Sequence, residues 1–204
     1  MDFPAAEQIF NYLYSGVDGY AVSAAGKARL GLADKSLVYG EITLPTFYAI
    51  LESLPLTPAH QIFYDLGSGT GKAVFGAALL GAFRAALGVE LIGELYQTSR
   101  RLLWRFNKKI RLFSPSLAQA ALVDFIHGDV REHDWSGGDV LFLNSTCFGD
   151  EMMRRLTEKL ACLKPGSLVI TLSIPIYSAL FRRLHTQKYP MGWGEATVYV
   201  QKKL

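Results

Sequence analysis

The chain has 204 residues, half of them hydrophobic, and carries a net charge of +3 at pH 7. This length fits one α/β domain with a large core, and so small a charge does not by itself indicate nucleic acid. The two cysteines and four histidines have no metal-binding spacing, and the amino terminus lacks the basic and apolar regions of a signal peptide. We therefore expect an intracellular protein without a signal peptide, a membrane anchor or a metal site.

The amino-terminal part is predicted to be a helical segment with a covering loop over residues 1–58, followed by a core domain over 59–204. Residues 5–14 place apolar side chains at helical intervals. The stretch 16–35 is less periodic and rich in Gly and Ala, which indicates a small lobe or a flexible cover. A second helix is predicted at about 45–54, with its proline at a permitted first-turn position.

The stretch Q-I-F-Y-D-L-G-S-G-T-G, from Gln61 to Gly71, is predicted to be a buried strand that runs into a tight turn and then a helix. It does not match a P-loop, because Leu66 stands where the first glycine is required and Ala73 where a hydroxyl is required. It does not match a dinucleotide fingerprint, because Lys72 replaces the last glycine. The remaining pattern, D-x-G-x-G-x-G, is typical of class I methyltransferases, whose glycines let the backbone approach a ligand without phosphate.

Beyond this turn, strand and helix patterns alternate along the chain. Strands are expected at 86–89, 125–127, 140–143 and 167–173, and helices at about 93–110 and 150–163. Two further strand-like runs between 181 and 202, joined through 190–194, predict a hairpin that closes one edge of the sheet. This order predicts an α/β fold with a doubly wound, Rossmann-like methyltransferase sheet.

Polar residues stand at the ends of four of these strands. Ligands of open α/β sheets bind outside the carboxyl ends of the strands, so these residues are candidates for one site. Asp65 is predicted to hold a cationic α-amino group, Glu90 both ribose hydroxyls, and Asp129 an adenine amino group. Asn144 ends the fourth strand. With the glycine turn, these residues describe a pocket for an adenosyl ligand.

Five short motifs carry a resemblance to a known family. They are Tyr39-Gly40-Glu41, Asp65-Leu66-Gly67-Ser68-Gly69, Gly88-Val89-Glu90, Gly128-Asp129 with Trp135, and Val140-Leu141-Phe142-Leu143-Asn144 ending in Phe148-Gly149. They make the chain similar to the Dot-one (disruptor of telomeric silencing) histone-lysine methyltransferases, which lack a SET domain. The likeness runs from residue 37 to about 174, with a weaker echo at Trp193 and Tyr199.

The resemblance implies transfer of a methyl group from S-adenosyl-L-methionine to a lysine amine of a histone or nucleosome, with S-adenosyl-L-homocysteine as product and a nuclear location. The amine must be neutral to attack, so an apolar channel beside the sulfonium should lower the lysine pKa from its ordinary value of about 10.4. The implied transfer residues are Asn144, Phe148, Trp193 and Tyr199. The implied cofactor-binding residues are Tyr39, Glu41, Asp65, Leu66, Gly67, Ser68, Gly69, Gly71, Glu90, Asp129, Val130 and Asn144.

The chain departs from the family pattern near the acceptor wall. Ser145 stands at the family's second asparagine, and Thr146-Cys147-Phe148 stands at its F-A-F. The spacing from Trp193 to Tyr199 is also one residue shorter. Two alternatives therefore stay open: a methyltransferase of another protein or a small molecule, and an inactive protein that only binds S-adenosyl-L-methionine. If the acceptor is not a histone, we expect a cytoplasmic location.

Six cations and no acid lie between Arg100 and Arg111. They are Arg100, Arg101, Arg105, Lys108, Lys109 and Arg111, of which Arg101, Arg105 and Lys108 share one face of the predicted helix. A solvated helix face is the commoner explanation for such a cluster, and weak contact with DNA phosphates is the second. The oligomeric state is not predicted.

Overall fold

The computed structural model describes residues 1–31, 39–58, 60–81, 83–110 and 121–204. Within these ranges the chain forms one sheet and six α-helices. The strands are β1 Ile62–Leu66, β2 Ala85–Glu90, β3 Leu122–His127, β4 Val140–Leu143, β5 Leu168–Leu172, β6 Phe181–Met191 and β7 Gly194–Lys203. The helices are α1 Phe3–Tyr14, α2 Gly19–Leu30, α3 Leu44–Glu52, α4 Lys72–Leu80, α5 Gly93–Arg105 and α6 Asp150–Leu160, with a π-helical turn at Phe106–Ile110 and a 3-10 turn at Ser145–Cys147.

The sheet has the strand order β3-β2-β1-β4-β5-β7-β6. The first five of these strands are parallel, and β7 runs antiparallel to both β5 and β6. The strand order reverses at β1, which pairs with β2 on one side and β4 on the other. A crevice therefore opens beyond the carboxyl end of β1, where ligands of such sheets bind. The predicted α/β fold and the closing hairpin are confirmed.

Both faces of the sheet are covered, which explains why the central strands are apolar without alternation. All four residues of β4 are buried: Phe142 joins the core beneath the helices α1, α3, α4 and α5, whereas Leu141 and Leu143 join the core beneath α6. On the first face, Phe75 of α4 packs at ring-centroid distances of 5.4 Å from Phe125 and 5.5 Å from Phe106. Each such buried ring contributes roughly 1.5–3 kcal/mol.

The amino-terminal helices pack on this same face. Buried residues of α1 and α3 belong to the core cluster that contains α4, and the Tyr14 hydroxyl donates a hydrogen bond of 3.1 Å to the Thr70 carbonyl oxygen. The helix α1 is therefore tied directly to the glycine turn after β1. The domain boundary at residue 58 stays a prediction.

The stretch 16–35, predicted to be a small lobe or a flexible cover, contains the helix α2 in its described part. The helix begins after Asp18, whose carboxylate accepts a hydrogen bond from the Ala21 N–H, and ends at Gly31, which has a left-handed φ of 62°. It lacks an apolar stripe because small residues let it pack closely. A Cβ on Gly26 would lie 2.4 Å from the Ile92 side chain. Residues 32–38, including Leu37 and Val38 of the family-like loop, lie outside the described ranges.

Two other helices end earlier than predicted. The α-helical part of 93–110 stops at Arg105, and the π-helical turn that follows brings Phe106 and Ile110 into the core. The helix α6 stops at Leu160 instead of residue 163, and Leu163 is buried after a turn. No described helix has the length and apolar character needed to cross a bilayer. The predicted loop around residue 115 lies outside the described ranges.

Candidate functional site

A pocket of about 520 Å³ opens at the carboxyl ends of β1, β2 and β4. This volume lies in the range of small-molecule sites. Twelve of the residues predicted from the sequence line it, namely Tyr39, Glu41, Asp65, Leu66, Gly67, Ser68, Gly69, Glu90, Asp129, Val130, Asn144 and Phe148. Residues that are scattered over more than a hundred positions of the chain thus converge on one cavity.

The three glycines of the turn after β1 all have positive φ, but they face different surroundings. Gly67 has a φ of 90° and open space where a Cβ would stand, so its backbone is accessible from the pocket. A Cβ on Gly69 would lie 2.7 Å from the Tyr39 ring. Gly71 lies outside the pocket wall, and a Cβ there would lie 2.5 Å from the Phe125 ring. The positive φ disfavours larger residues at all three glycines, and close packing also excludes them at Gly69 and Gly71.

Asp65 presents a buried carboxylate to the pocket. It is 4% exposed, and among the described residues none donates a hydrogen bond to it. Burial raises its pKa well above the ordinary value, and the nearby charge of Glu90 raises it further. A buried carboxylate without a donor is unfavourable unless a cation arrives to pair with it. This position therefore suits a positively charged group of a ligand.

Glu90 is held in place by the backbone. One carboxylate oxygen accepts a hydrogen bond of 2.7 Å from the Gly69 N–H, and the other accepts one of 2.7 Å from the Ile92 N–H. Burial raises the pKa of Glu90, and these N–H groups oppose that rise. Each carboxylate oxygen keeps a further lone pair, so the side chain can accept hydrogen bonds from two adjacent hydroxyls.

We expect Glu90→Ala to weaken the binding of S-adenosyl-L-homocysteine by at least about 1 kcal/mol, because charge-assisted hydrogen bonds to the ribose are lost. The turn should also loosen, since the N–H groups of Gly69 and Ile92 lose their acceptor. Isothermal titration calorimetry measures the affinity, and Glu195→Gln, an exposed carboxylate paired with Lys188, is the control. An unchanged affinity in Glu90→Ala would remove Glu90 from the site.

The end of the pocket near β3 contains a paired carboxylate. Asp129 accepts hydrogen bonds from the Arg131 side chain, with Nε 3.0 Å from both of its oxygens, and from the Arg131 N–H at 2.8 Å. The side-chain hydrogen bond from Arg131 lowers the pKa of Asp129. The ionised carboxylate can accept from an adenine amino group only through the lone pairs that Arg131 leaves free, and Val130 adds an apolar surface beside it.

The loop at residues 39–41 closes the pocket from the opposite side. The Tyr39 hydroxyl donates a hydrogen bond of 2.7 Å to the Glu41 carboxylate, and the Lys72 Nζ lies 2.6 Å from the same carboxylate. Burial raises the pKa of Tyr39, and the charge of Glu41 adds to the rise. Lys72 and Thr70 line the pocket but were not among the predicted site residues. Their position directly after the glycine motif was the available signal.

The helix α2 supports this loop from behind. A Cβ on Gly19 would lie 2.1 Å from the Glu41 carboxylate, and the Tyr20 ring meets the Tyr39 ring edge-on at 5.4 Å. Only a residue without a side chain fits at this first position of α2. The loop is thus clamped between α2 and the glycine turn.

The four predicted transfer residues are not all brought together. Asn144 and Phe148 line the pocket, and the Asn144 Nδ2 donates a hydrogen bond of 3.0 Å to the Gly40 carbonyl oxygen. Trp193 does not line the pocket but packs against Gly40. A Cβ on Gly40 would lie 2.9 Å from the Trp193 ring. Tyr199 does not line the pocket. Its neighbours Val198 and Val200 point into the core beneath α1, α3, α4 and α5, so the Tyr199 side chain lies on the opposite face of the sheet. There the Arg183 guanidinium is 5.2 Å from its ring.

The residues present fit S-adenosyl-L-methionine. The Asp65 carboxylate provides a partner for its α-amino group, and the open backbone at Gly67 lets a ligand approach closely. Glu90 provides the acceptor for two hydroxyls. Among the described residues no donor reaches the buried Asp65 carboxylate in the pocket wall, which indicates that a positively charged ligand group completes its interactions.

The strand order, the glycine turn and the acids at the strand ends define a class I, S-adenosyl-L-methionine-dependent methyltransferase. Residues 7–185 match the family described as "Histone methylation protein DOT1", and the chain belongs to this family. The predicted family and cofactor are confirmed.

Two curated relatives that share one name support this assignment. The chain is 30% identical over 170 residues to "Histone-lysine N-methyltransferase, H3 lysine-79 specific" of Debaryomyces hansenii, covering 81% of this chain and 14% of that protein. It is 33% identical over 140 residues to the protein of the same name from Dictyostelium discoideum, covering 66% of this chain and 7% of that protein. The chain therefore spans only a small part of the length of these relatives.

Solved structures share the fold at low sequence identity. TrmN from Thermus thermophilus superimposes with a TM-score of 0.60 at 19% identity, covering 83% of this chain and 52% of that one. The tRNA methyltransferase TrmK of B. subtilis gives a TM-score of 0.57 at 15% identity, covering 82% of this chain and 67% of that one. At these identities the likeness concerns the architecture alone.

Proposed function

We propose that this chain transfers the methyl group of S-adenosyl-L-methionine to the side-chain amine of a histone lysine. The observation that carries the proposal is one pocket whose wall contains both the buried Asp65 carboxylate and Asn144. The family match and the names of the relatives support a histone as the acceptor. A histone acceptor implies that the protein acts in the nucleus.

The transfer is a direct displacement at carbon. The amine nitrogen forms a bond to the methyl carbon, the carbon–sulfur bond breaks with its electrons going to sulfur, and the resulting ammonium loses a proton to solvent. The bound donor supplies an electrophilic methyl group. The protein's contribution is mainly alignment, because holding two reactants in line removes much of the entropic part of the barrier. Asn144 and Phe148 border the mouth where the amine would enter.

The direct test is a methyl-transfer assay with nucleosomes, free histones and a panel of metabolites as acceptors. We expect transfer to a histone lysine, identified by mass spectrometry of the labelled peptide. Transfer to another protein or to a metabolite would replace the histone as acceptor. Donor binding without any transfer would favour an inactive binding protein.

One feature of the structure bears on these alternatives. Ser145, which replaces the family's second asparagine, is fully buried, and its hydroxyl donates a hydrogen bond of 2.7 Å to the Leu172 carbonyl oxygen. This substitution therefore points into the sheet instead of the pocket. Thr146 and Cys147 are half-buried beside the mouth, so the changed part of the acceptor wall is smaller than the sequence indicated.

We also propose a weak DNA contact through the basic end of α5, with fewer cations than the sequence predicted. Arg100 is paired with Asp124, and the Arg105 Nη1 donates a hydrogen bond of 2.8 Å to the Leu13 carbonyl oxygen at the end of α1. Three exposed cations, Arg101, Lys108 and Lys109, lie within five residues of Trp104 along the chain, and Trp104 is 60% exposed. Arg111 lies outside the described ranges. An exposed aromatic ring among cations suits a surface that meets phosphates.

We expect nucleosome binding to weaken with salt with a slope of about two to three, since each phosphate contact contributes a little under one unit. Charge reversal at Arg101 and Lys108 should make the slope shallower by about two units and leave donor affinity unchanged. Arg105 is kept, because its loss would also disturb α1. The control is the same reversal at Arg182 and Lys188 on β6. If the Arg101/Lys108 variant binds nucleosomes with unchanged affinity and salt dependence, this end of α5 is only a solvated face.

A further inference from the structure

A row of hydrogen-bonded side chains crosses the carboxyl ends of β4 and β5 and reaches the pocket wall at Asn144. Its centre is Asn144, whose Nδ2 donates to the Gly40 carbonyl oxygen at 3.0 Å. The Thr146 hydroxyl donates to the Asn144 Oδ1 at 3.1 Å, and it lies 3.1 Å from the Ser173 hydroxyl. These residues connect the loop over the pocket with the end of β5.

The direction of this row follows from counting donors. A carbonyl oxygen only accepts, so the amide nitrogen of Asn144 must face Gly40 and its oxygen must face Thr146. A hydroxyl has one proton, and Thr146 uses its proton toward Asn144. The hydrogen bond between Thr146 and Ser173 must therefore be donated by Ser173. The Ser173 Oγ keeps its own lone pairs free as the last acceptor of the row.

The backbone at Ser173 is strained. Its φ of 66° is the one left-handed value at a non-glycine residue in the described ranges. Its N–H donates a hydrogen bond of 2.7 Å to the Thr197 carbonyl oxygen, and the Ser145 hydroxyl holds the preceding Leu172 carbonyl oxygen at 2.7 Å. Strained conformations of this kind cost roughly 1–3 kcal/mol and cluster at functional sites.

We propose that Thr146 is a positioning residue for Asn144 and that Ser173 is a catalytic residue that contacts the acceptor amine. Thr146 fixes the amide orientation of Asn144, and the Ser173 Oγ accepts a hydrogen bond from one N–H of the incoming amine. A neutral primary amine has two N–H bonds and one lone pair, so this contact leaves the lone pair free to face the methyl group. The inference rests on the proposed transfer to an amine.

The orientation of Asn144 can be tested without any acceptor. In a ¹⁵N–¹H spectrum, the side-chain amide of Asn144 should change position in Thr146→Val, which removes the hydroxyl at nearly constant shape. Thr146→Ser should restore the wild-type signal, because it keeps the donor. Unchanged Asn144 signals in Thr146→Val would overturn the role of Thr146, whatever the acceptor proves to be.

The role of Ser173 is tested by Ser173→Gly, which removes the hydroxyl and adopts positive φ without strain. We expect this variant to melt at a higher temperature than the wild type and to turn over about tenfold more slowly on the acceptor. Thr146→Val should lose about the same factor in kcat, and both should bind S-adenosyl-L-homocysteine with wild-type affinity. Full turnover in Ser173→Gly would overturn its role.

The two proposals fail in different ways. If the wild type methylates no histone but another amine, the histone assignment fails, and the same variants assayed on that amine decide the role of the row. If the wild type methylates a non-amine acceptor or none, the Ser173 contact to an amine fails with it. The Asn144 spectrum then still decides whether Thr146 fixes the amide.

Discussion

We expect Asp65→Asn to melt at a higher temperature than the wild type when no donor is bound, and to bind the donor about 10- to 100-fold more weakly. The stabilisation follows from the buried carboxylate, which has no hydrogen-bond donor among the described residues and lies close to Glu90. Removing such a charge should raise stability by about 1 kcal/mol, or roughly 2–4 °C for a chain of this size. The loss of affinity follows because a neutral amide oxygen replaces the charge-assisted hydrogen bond to the ammonium group with a weaker one.

The pH dependence has a definite sign. The pKa of Asp65 is raised in the folded protein, mainly by burial, from an ordinary value of 3.8. The folded state therefore holds this proton more tightly than the unfolded state, and stability falls as pH rises from 3.8 through the raised pKa. The Asn variant lacks this loss, so its advantage in melting temperature should grow across the same window.

Donor affinity should show the opposite trend, rising with pH across that window, because only the ionised carboxylate pairs with the ammonium group. Within that pH window, binding to the wild type should release a proton, so the calorimetric enthalpy there should depend on the ionisation enthalpy of the buffer. Asp65→Asn should lose this dependence, whereas Glu195→Gln should retain it. A variant that binds the donor as tightly as the wild type would show that Asp65 does not hold the amino group.

The pocket could be predicted because its main residues stand at strand ends. A strand end can be recognised locally, from an apolar run that stops at a polar residue, and parallel strands bring their carboxyl ends to one edge. The register places Leu66 beside both Val89 and Leu143. Asp65, Glu90 and Asn144 therefore converge without any need to know the long-range contacts in advance.

Other parts of the site depend on contacts that no local pattern reveals. The helix α2 has no apolar stripe because Gly19 and Gly26 let it pack through its backbone, although Asp18 and Gly31 give correct start and stop signals. In the sequence, Lys72 only excluded the dinucleotide fingerprint. Its pairing with Glu41 joins residues 31 positions apart.

The face of the sheet on which the Tyr199 side chain lies could not be predicted from the sequence either. In β7 the direction of each side chain depends on pairing with β5, where Tyr199 stands opposite Thr171. A shift of one residue would turn Tyr199 to the other face. With the spacing found in this chain, Trp193 packs on the core beneath α1, α3, α4 and α5, whereas Tyr199 lies on the opposite face of the sheet. Its role in the acceptor channel stays a prediction.

For Asn144→Ala, we expect turnover to fall about 100-fold while donor affinity changes by less than about threefold. Asn144 ends β4 at the pocket mouth and ties the Gly40 carbonyl oxygen to the sheet. Its loss would leave the mouth unfixed where the amine enters, and small misplacements of reacting atoms can cost a factor of about 100. The contacts that hold the donor at Asp65 and Glu90 lie elsewhere and stay intact.

The measurement is single-turnover methyl transfer beside calorimetric titration of S-adenosyl-L-homocysteine. Asn144→Asp keeps the shape but replaces the amide donor with a second acceptor facing the Gly40 carbonyl oxygen, so it should also turn over slowly. Asn107→Ala, in the π-helical turn after α5, is the matched control and should behave as the wild type. A loss confined to kcat indicates an interaction made in the transition state. Equal losses of turnover and affinity, or full turnover in Asn144→Ala, would contradict this role.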